Sequence, residues 1–346
     1  MDKKSIWQLV LVFAIGAASI WYFSRSINLN LLWNGLKQAD TSWLLLAFIV
    51  VFLTWVFEAL ALLALTTKEN ERLPFKTIFY TTMIGQLFNQ ITPLATGGQP
   101  AQLYVLVKRG VHAGRATSIL VIKFLVFQVV LVASFSVILL FAYSSLAEAL
   151  PNMHYLILIG YVIHASIIGG LLLVVLHHRL ASFLARTLLK PVSLFSKAKA
   201  QDWRSKLDGS LQRYHEQSRV LMRNKTRLLL ASLLTCAQLL FFFSLPFFIF
   251  QAFHVESISL FISTSYHAFI MMFASVVPTP GGSGAAEFTF NGLFRPYMSA
   301  EQLVLSLLFW RVITAYLAVF IGVFLTGLSA RKKRSWKQQI ISNRNL

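Results

Sequence analysis

Acidic residues are scarce in this chain: 12 Asp and Glu stand against 31 Lys and Arg in 346 residues, and charged residues of both signs reach only 12%. A soluble domain of this length would need a more charged surface, so the composition excludes one. Cysteine is almost missing as well. Cys236 stands alone inside an apolar run, which rules out an intrachain disulfide. No HExxH, GxSxG or P-loop pattern occurs, and no Cys/His pair has metal-ligand spacing, so neither an enzyme nor a metal or cofactor site is expected. Proline is rare too, and four of the nine prolines crowd into two short stretches, 93-PLATGGQP-100 and 278-PTPGGSG-284.

What is abundant is apolar sequence, 57% of the chain. Runs long enough to cross a hydrocarbon core of about 30 Å occur at 5–24, 42–67, 116–144, 155–176, 227–252 and 302–328. The first could pass for a signal peptide. It is too long for a signal h-region and lacks a small-residue cleavage site, so it reads as a retained span. Two further apolar segments, 76–107 and 258–294, are interrupted by the two Pro/Gly stretches. The part after each break is only two to three helical turns, well short of a membrane. The expected fold is therefore an all-α integral membrane protein. It has about six full spans and two re-entrant helical hairpins in one domain, 1–346.

Basic residues set the orientation. With the N-terminus inside, 26 of the 31 Lys and Arg fall on the cytoplasmic side and 3 outside; Lys123 and Arg311 lie within spans. That asymmetry predicts cytoplasmic termini in a cell membrane, with the first hairpin entering from the cytoplasm and the second from outside. Two broken helices of opposite entry are what an inverted repeat produces, and they are the best sequence pointer to a transporter site. The net charge of +19 thus reflects orientation and contact with anionic inner-leaflet lipid, not nucleic acid. The loop 177–227 mixes apolar residues with Lys and Arg at helical spacing, which reads as interfacial helix on the inner leaflet or as an orientation signal. The tail 331–346 carries a similar basic cluster. The segment 28–43 reads as an outer interfacial piece anchored by Trp33 and Trp43.

The candidate site is built from the two breaks. Pro93, Pro278 and Pro280 stop helices; Gly97, Gly98, Gly281, Gly282 and Gly284 let the backbone turn and come close to a ligand. Irregular backbone at membrane depth must be buried in protein or line a wet cavity. Each short helix that follows presents free N–H groups, which suit an anionic headgroup. Gln99 is the expected cap of the first, with Pro100 at its first position. Glu287, three residues after Gly284, is placed either to cap the second or to handle a cation or proton. Arg311 is too deep to reach the surface and needs an anion: Glu287, Glu58 or a bound phosphate. Lys123 is near enough to the inner surface to snorkel, or else to pair with a carboxylate. His164 and His267 also fall in apolar segments, where a lone imidazole is more often a hydrogen-bonder than a proton relay.

The stretches 88-FNQITPLATGGQPAQLYVLVKRG-110 and 276-VVPTPGGSGAAE-287 resemble the two hallmark loops of the lysylphosphatidylglycerol synthase transmembrane family, flippase-like integral membrane proteins. The resemblance spans nearly the whole chain, and the PxPGGxGxxE pattern is its most specific part. It implies a headgroup site at Pro93, Gly97, Gly98, Pro278, Pro280, Gly281, Gly282, Gly284 and Glu287. Many members carry an Arg shortly after the first Gly-Gly. Here that region holds Gln99, Gln102 and Tyr104, so a basic contact is either lost or supplied by Arg311. No soluble transferase domain like that of the bifunctional members is expected, and so no synthesis of lysyl-lipid. The expected function is translocation of a phospholipid or glycolipid headgroup, with membrane lipids as partners. The alternatives are an ion-coupled carrier of an anionic solute or polyprenyl-phosphate, and an accessory subunit of a lipid-modifying transferase. A homo-oligomer is compatible with each.

Overall fold

The computed structural model of the chain describes residues 29–66, 73–149, 153–177, 180–183, 187, 197–275 and 277–327. The expected first span, 5–24, and the basic tail, 331–346, lie outside these residues. Among the described residues the chain is all helix apart from one isolated β-bridge. In chain order the helices are α1 (Leu29–Gln38), α2 (Thr41–Thr66), α3 (Phe75–Ile91), α4 (Gly98–Lys108), α5 (Ala113–Ala149) and α6 (Met153–Leu176). They continue with α7 (Lys197–Arg223), α8 (Lys225–Ala252), α9 (Leu260–Ala274), α10 (Ala285–Phe294) and α11 (Ala300–Gly327).

Five of these are long and apolar enough to cross a membrane: Thr41–Thr66, Ala113–Ser144, Ile157–Leu176, Lys225–Ala252 and Ala300–Gly327. They coincide with the five described runs read from the sequence. The caps explain where several begin. Asp40 Oδ1 accepts the Ser42 N–H at 2.8 Å ahead of α2. Asn224 caps α8 by accepting the Arg227 N–H at 3.0 Å, and Ser299 with Gln302 makes a reciprocal capping box on α11. Each satisfies amides that a helix start leaves free.

The two interrupted segments each form a helix, a tight loop and a second helix packed back on the first: α3 with α4, and α9 with α10. At 11 and 10 residues, α4 and α10 are about 15–16 Å long, half a hydrocarbon core. Glycine makes the first return possible. A Cβ on Gly98 would stand 1.9 Å from Asn89 Oδ1 and 2.8 Å from the Gly85 carbonyl, and one on Gly85 would strike the Gln102 side chain. Close helix approach through small residues is the usual source of packing where lipid removes the hydrophobic drive.

Apolar packing is organised around α2. One cluster joins its C-terminal half (Ala59, Leu62, Leu65) to α3, α4, α5 and α7. The larger cluster joins its N-terminal half (Ala47, Val50, Val51) to α5, α8, α9, α10 and α11, and includes the rings of Phe250, Phe290, Phe294 and Trp310. Phe290 stacks on Trp310 with centroids 4.8 Å apart.

Part of the basic loop packs against protein, while 178–179, 184–186 and 188–196 lie outside the described residues. Its C-terminal part is helix α7, which packs along α5, burying Leu211, Tyr214, Ser218 and Leu221. A Cβ on Gly114 would lie 2.1 Å from the Ser210 carbonyl, and Ser218 donates to Ser118 at 2.9 Å. The apolar stripe meets protein because α5, at 37 residues, spans about 55 Å and overruns a bilayer. Arg213, Arg219 and Arg223 stay exposed. Trp33 is exposed on α1, as an interfacial anchor would be, whereas Trp43 packs beside Phe247 and Phe248.

Candidate functional site

The two Pro/Gly loops come from distant parts of the chain and meet tip to tip. Pro93 and Pro280 form an antiparallel β-bridge, the isolated bridge of the described residues. Around it the backbone is unusual. Gly281, Gly282 and Gly284 have φ of 59°, 65° and 90°, and in the first loop Leu94 and Ala95 hold φ of 54° and 53°. Glycine takes this left-handed region freely; for Leu and Ala each such residue costs about 1–2 kcal/mol. Thr92 supports the first loop: its hydroxyl donates to the Phe88 carbonyl and accepts the Gly97 N–H at 2.8 Å.

Gln99 does not cap α4. Gly97 holds that position with no side-chain cap of its own, and Pro100 becomes the third residue of the helix. The Thr92–Gly97 bond sets the start earlier than the proline alone suggests. Gln102, one turn in, is buried against α3. Tyr104 is exposed and lies under the Lys108 ammonium.

In the second loop Gly284 is the N-cap of α10 and Glu287 its third residue. Glu287 Oε2 accepts the Gly284 N–H at 2.6 Å and lies 2.6 Å from Arg311 Nη2. The carboxylate thus caps and pairs with the same oxygen. Both side chains are buried, at 1% and 6% exposure. The pair is nonetheless incompletely satisfied. Glu287 Oε1 and Arg311 Nε have no hydrogen-bond partner, and Nη2 meets the carboxylate out of line with its N–H bonds. Arg311 Nη1 donates to the Gly281 carbonyl at 3.4 Å. Buried groups are normally hydrogen-bonded, so two orphaned atoms set this pair apart from a fully satisfied one.

Directly after Arg311, α11 widens into a π-turn at Val312–Tyr316. Such turns hold an extra residue and are frequent at functional positions. Gln90, from the end of α3, donates to the Thr314 carbonyl on this turn at 3.4 Å. Its other amide atom sits 2.7 Å from where a Cβ on Gly281 would be. Gln90 therefore ties the first hairpin to both the second loop and α11. Its only signal in the sequence is its place three residues before Pro93.

Glu58 and Lys123 form a second buried pair, at 2.6 Å. Lys123 does not snorkel. Glu58 offers a nearer counter-charge, and Gln102 Oε1 lies 3.4 Å from the ammonium. Gln86 donates to the other Glu58 oxygen at 2.5 Å. This network joins α2, α3, α4 and α5 with every carboxylate oxygen partnered. Glu58 and Glu287 thus take different cations.

Both histidines are held. His164 Nδ1 lies 2.8 Å from Gln128 Oε1 and its Nε2 3.4 Å from Ser275 Oγ. His267 Nε2 accepts from Trp310 Nε1 at 3.1 Å, so Nδ1 carries the proton, 3.2 Å from the Phe243 carbonyl. The neighbouring Phe242 carbonyl also faces it; Pro246, lacking an N–H, leaves that carbonyl without its helical donor.

These features define a polytopic helical membrane protein whose two broken helices converge on a buried, half-satisfied Arg–Glu pair. The chain belongs to the lysylphosphatidylglycerol synthase TM region family, whose profile matches residues 7–322. It is also similar to a UPF0104 membrane protein of Archaeoglobus fulgidus, at 26% identity over 341 residues, covering 96% of this chain and 99% of the relative.

Proposed function

We propose that the protein is a flippase-like translocator. It moves a phospholipid or glycolipid headgroup across the cell membrane, without acting as an enzyme on it. The observation that carries this reading is the meeting of the two loops at Pro93 and Pro280 directly beside the Glu287–Arg311 pair. In this reading α3–α4 enters from the cytoplasm and α9–α10 from outside, both termini are cytoplasmic, and the two hairpins are counterparts in an inverted repeat. The tip contact then closes the path between leaflets. Opening it on one side exposes Arg311, Glu287 and the glycine backbone to a headgroup from that side, which is alternating access around a midplane site. Arg311 holds the phosphate, since a guanidinium offers several donors to an oxyanion. Gln99 and Gln102 line the first hairpin. The family membership supports a lipid-related role for the membrane domain.

The test is transfer of fluorescent phosphatidylglycerol, phosphatidylethanolamine and a glycolipid between leaflets of reconstituted vesicles. Wild type should accelerate transfer of at least one lipid, and Glu287→Gln should slow it at least tenfold. Equal behaviour of wild type, Glu287→Gln and empty vesicles on every lipid would refute the proposal.

A further inference from the structure

The two buried ion pairs differ in one respect. Glu58 gives one oxygen to Lys123 and the other to Gln86, and Gln102 flanks the ammonium, so that network is closed. In the second pair one oxygen of Glu287 takes both the Gly284 amide and Arg311, while Oε1 and Arg311 Nε are left bare inside the protein. A pair built only for structure would spread its contacts over both oxygens and the Nε donor.

We infer that Glu287 is an exchangeable counter-ion of Arg311: an arriving phosphate displaces it from the guanidinium, and the released carboxylate takes up one proton from water. This rests on the translocation reading and adds its energy coupling. Charge decides the direction. Paired with each other, Glu287 and Arg311 sum to zero charge. A phosphodiester brings one negative charge to a place where both side chains are almost wholly buried. If Glu287 stayed ionised, an unpaired carboxylate would remain in a dry site, the costliest outcome available. Adding a proton to the carboxylate oxygen as phosphate arrives restores neutrality, and no bond in the lipid is broken. The protonated carboxyl keeps an acceptor oxygen for the Gly284 amide, so the cap survives the exchange. The bare Nε gives the phosphate a donor that Glu287 does not use.

The other ionisable side chains on elements packed against α10 are Tyr266 and His267 of α9, Arg295 and Tyr297 of the following turn, and Glu301 and Tyr316 of α11. His267 cannot easily take the proton, because its one acceptor nitrogen is occupied by Trp310. The Tyr266 and Tyr297 hydroxyls face each other at 3.1 Å. Glu301 lies in the first turn of α11 and Arg311 in the last turn before the π-turn, about 15 Å apart along the axis.

The experiment is proton uptake by the purified protein in weakly buffered detergent, followed with a pH indicator during titration with short-chain phosphatidylglycerol. A parallel arm uses inorganic phosphate. Wild type should take up about one proton per lipid bound, with affinity falling about tenfold per pH unit over the pH range in which that uptake is seen. Glu287→Gln should bind the lipid with no uptake and a flat pH profile. Uptake with inorganic phosphate alone would make the ligand a soluble anion and overturn the lipid assignment. Lipid binding by wild type without uptake, or equal uptake by Glu287→Gln, overturns the exchange and leaves the translocation reading standing. Absence of any binding by wild type overturns both. An infrared carboxylic-acid band that appears on lipid addition in wild type and is missing in Glu287→Gln provides a readout that a loss of folding alone does not mimic.

Discussion

Removing one charge from the Glu58–Lys123 pair should cost far more than removing both. In Glu58→Gln the side chain keeps its shape and its amide oxygen, but Lys123 loses its counter-ion. The Lys123 side chain is 16% exposed and Glu58 7%, so neither reaches water freely. Breaking a buried pair from one side typically costs 3–5 kcal/mol. The small residual exposure of Lys123 and the nearby Gln102 oxygen place this case at the low end, about 3 kcal/mol. Lys123→Met should cost about the same by stranding Glu58, partly relieved by Gln86. The double variant leaves neutral amides, Gln86 and Gln102, around an apolar stem, and should return to within about 1 kcal/mol of wild type. The coupling energy is then about 5 kcal/mol, beyond the range that neighbouring residues usually show. Reversible unfolding in mixed micelles, followed by tryptophan fluorescence with Trp55 one turn from Glu58, measures all four proteins. A double variant no more stable than the singles, or a Glu58→Gln cost below about 1 kcal/mol, would refute the view of this pair as a closed structural network.

Two further outcomes test the tip and helix α7. Gly281→Ala should cost about 1–2 kcal/mol through its left-handed φ alone. Its Cβ would also push on Gln90, so thermal unfolding should fall while loss of lipid transfer exceeds that of a simple stability change. Gly114→Ala drives a Cβ into the Ser210 carbonyl and should cost about 1–3 kcal/mol of overpacking. It should also raise hydrogen exchange in α7 without raising it in α10; unchanged α7 protection would mean that helix does not depend on α5.

The broken helices were legible because proline and glycine act locally. A proline removes a donor and a glycine accepts a left-handed turn wherever they occur, so 93-PLATGGQP-100 and 278-PTPGGSG-284 announced loops. The place of Glu287 at the third residue of α10 followed from its distance to Gly284. Start signals that depend on a neighbouring side chain were less readable: Thr92, not Gln99, organises the first turn of α4. Lys123 was ambiguous because its depth alone permits snorkelling, and its true partner lies on a helix far away in sequence. Gln90 carried no signal beyond its place before Pro93, since its acceptor is a carbonyl exposed by a π-turn in α11.

Composition and periodicity by themselves determined that this is an all-helical membrane protein, that at least five described runs are of spanning length, and that two helices break. Those properties depend on each segment's own transfer energy and backbone chemistry. Tertiary structure decided which loops touch, which cation each glutamate holds, and that one ion pair is closed while the other has bare atoms. Pairing is a long-range choice among several buried charges, and it depends on distances of a few ångströms that only the packed helices set.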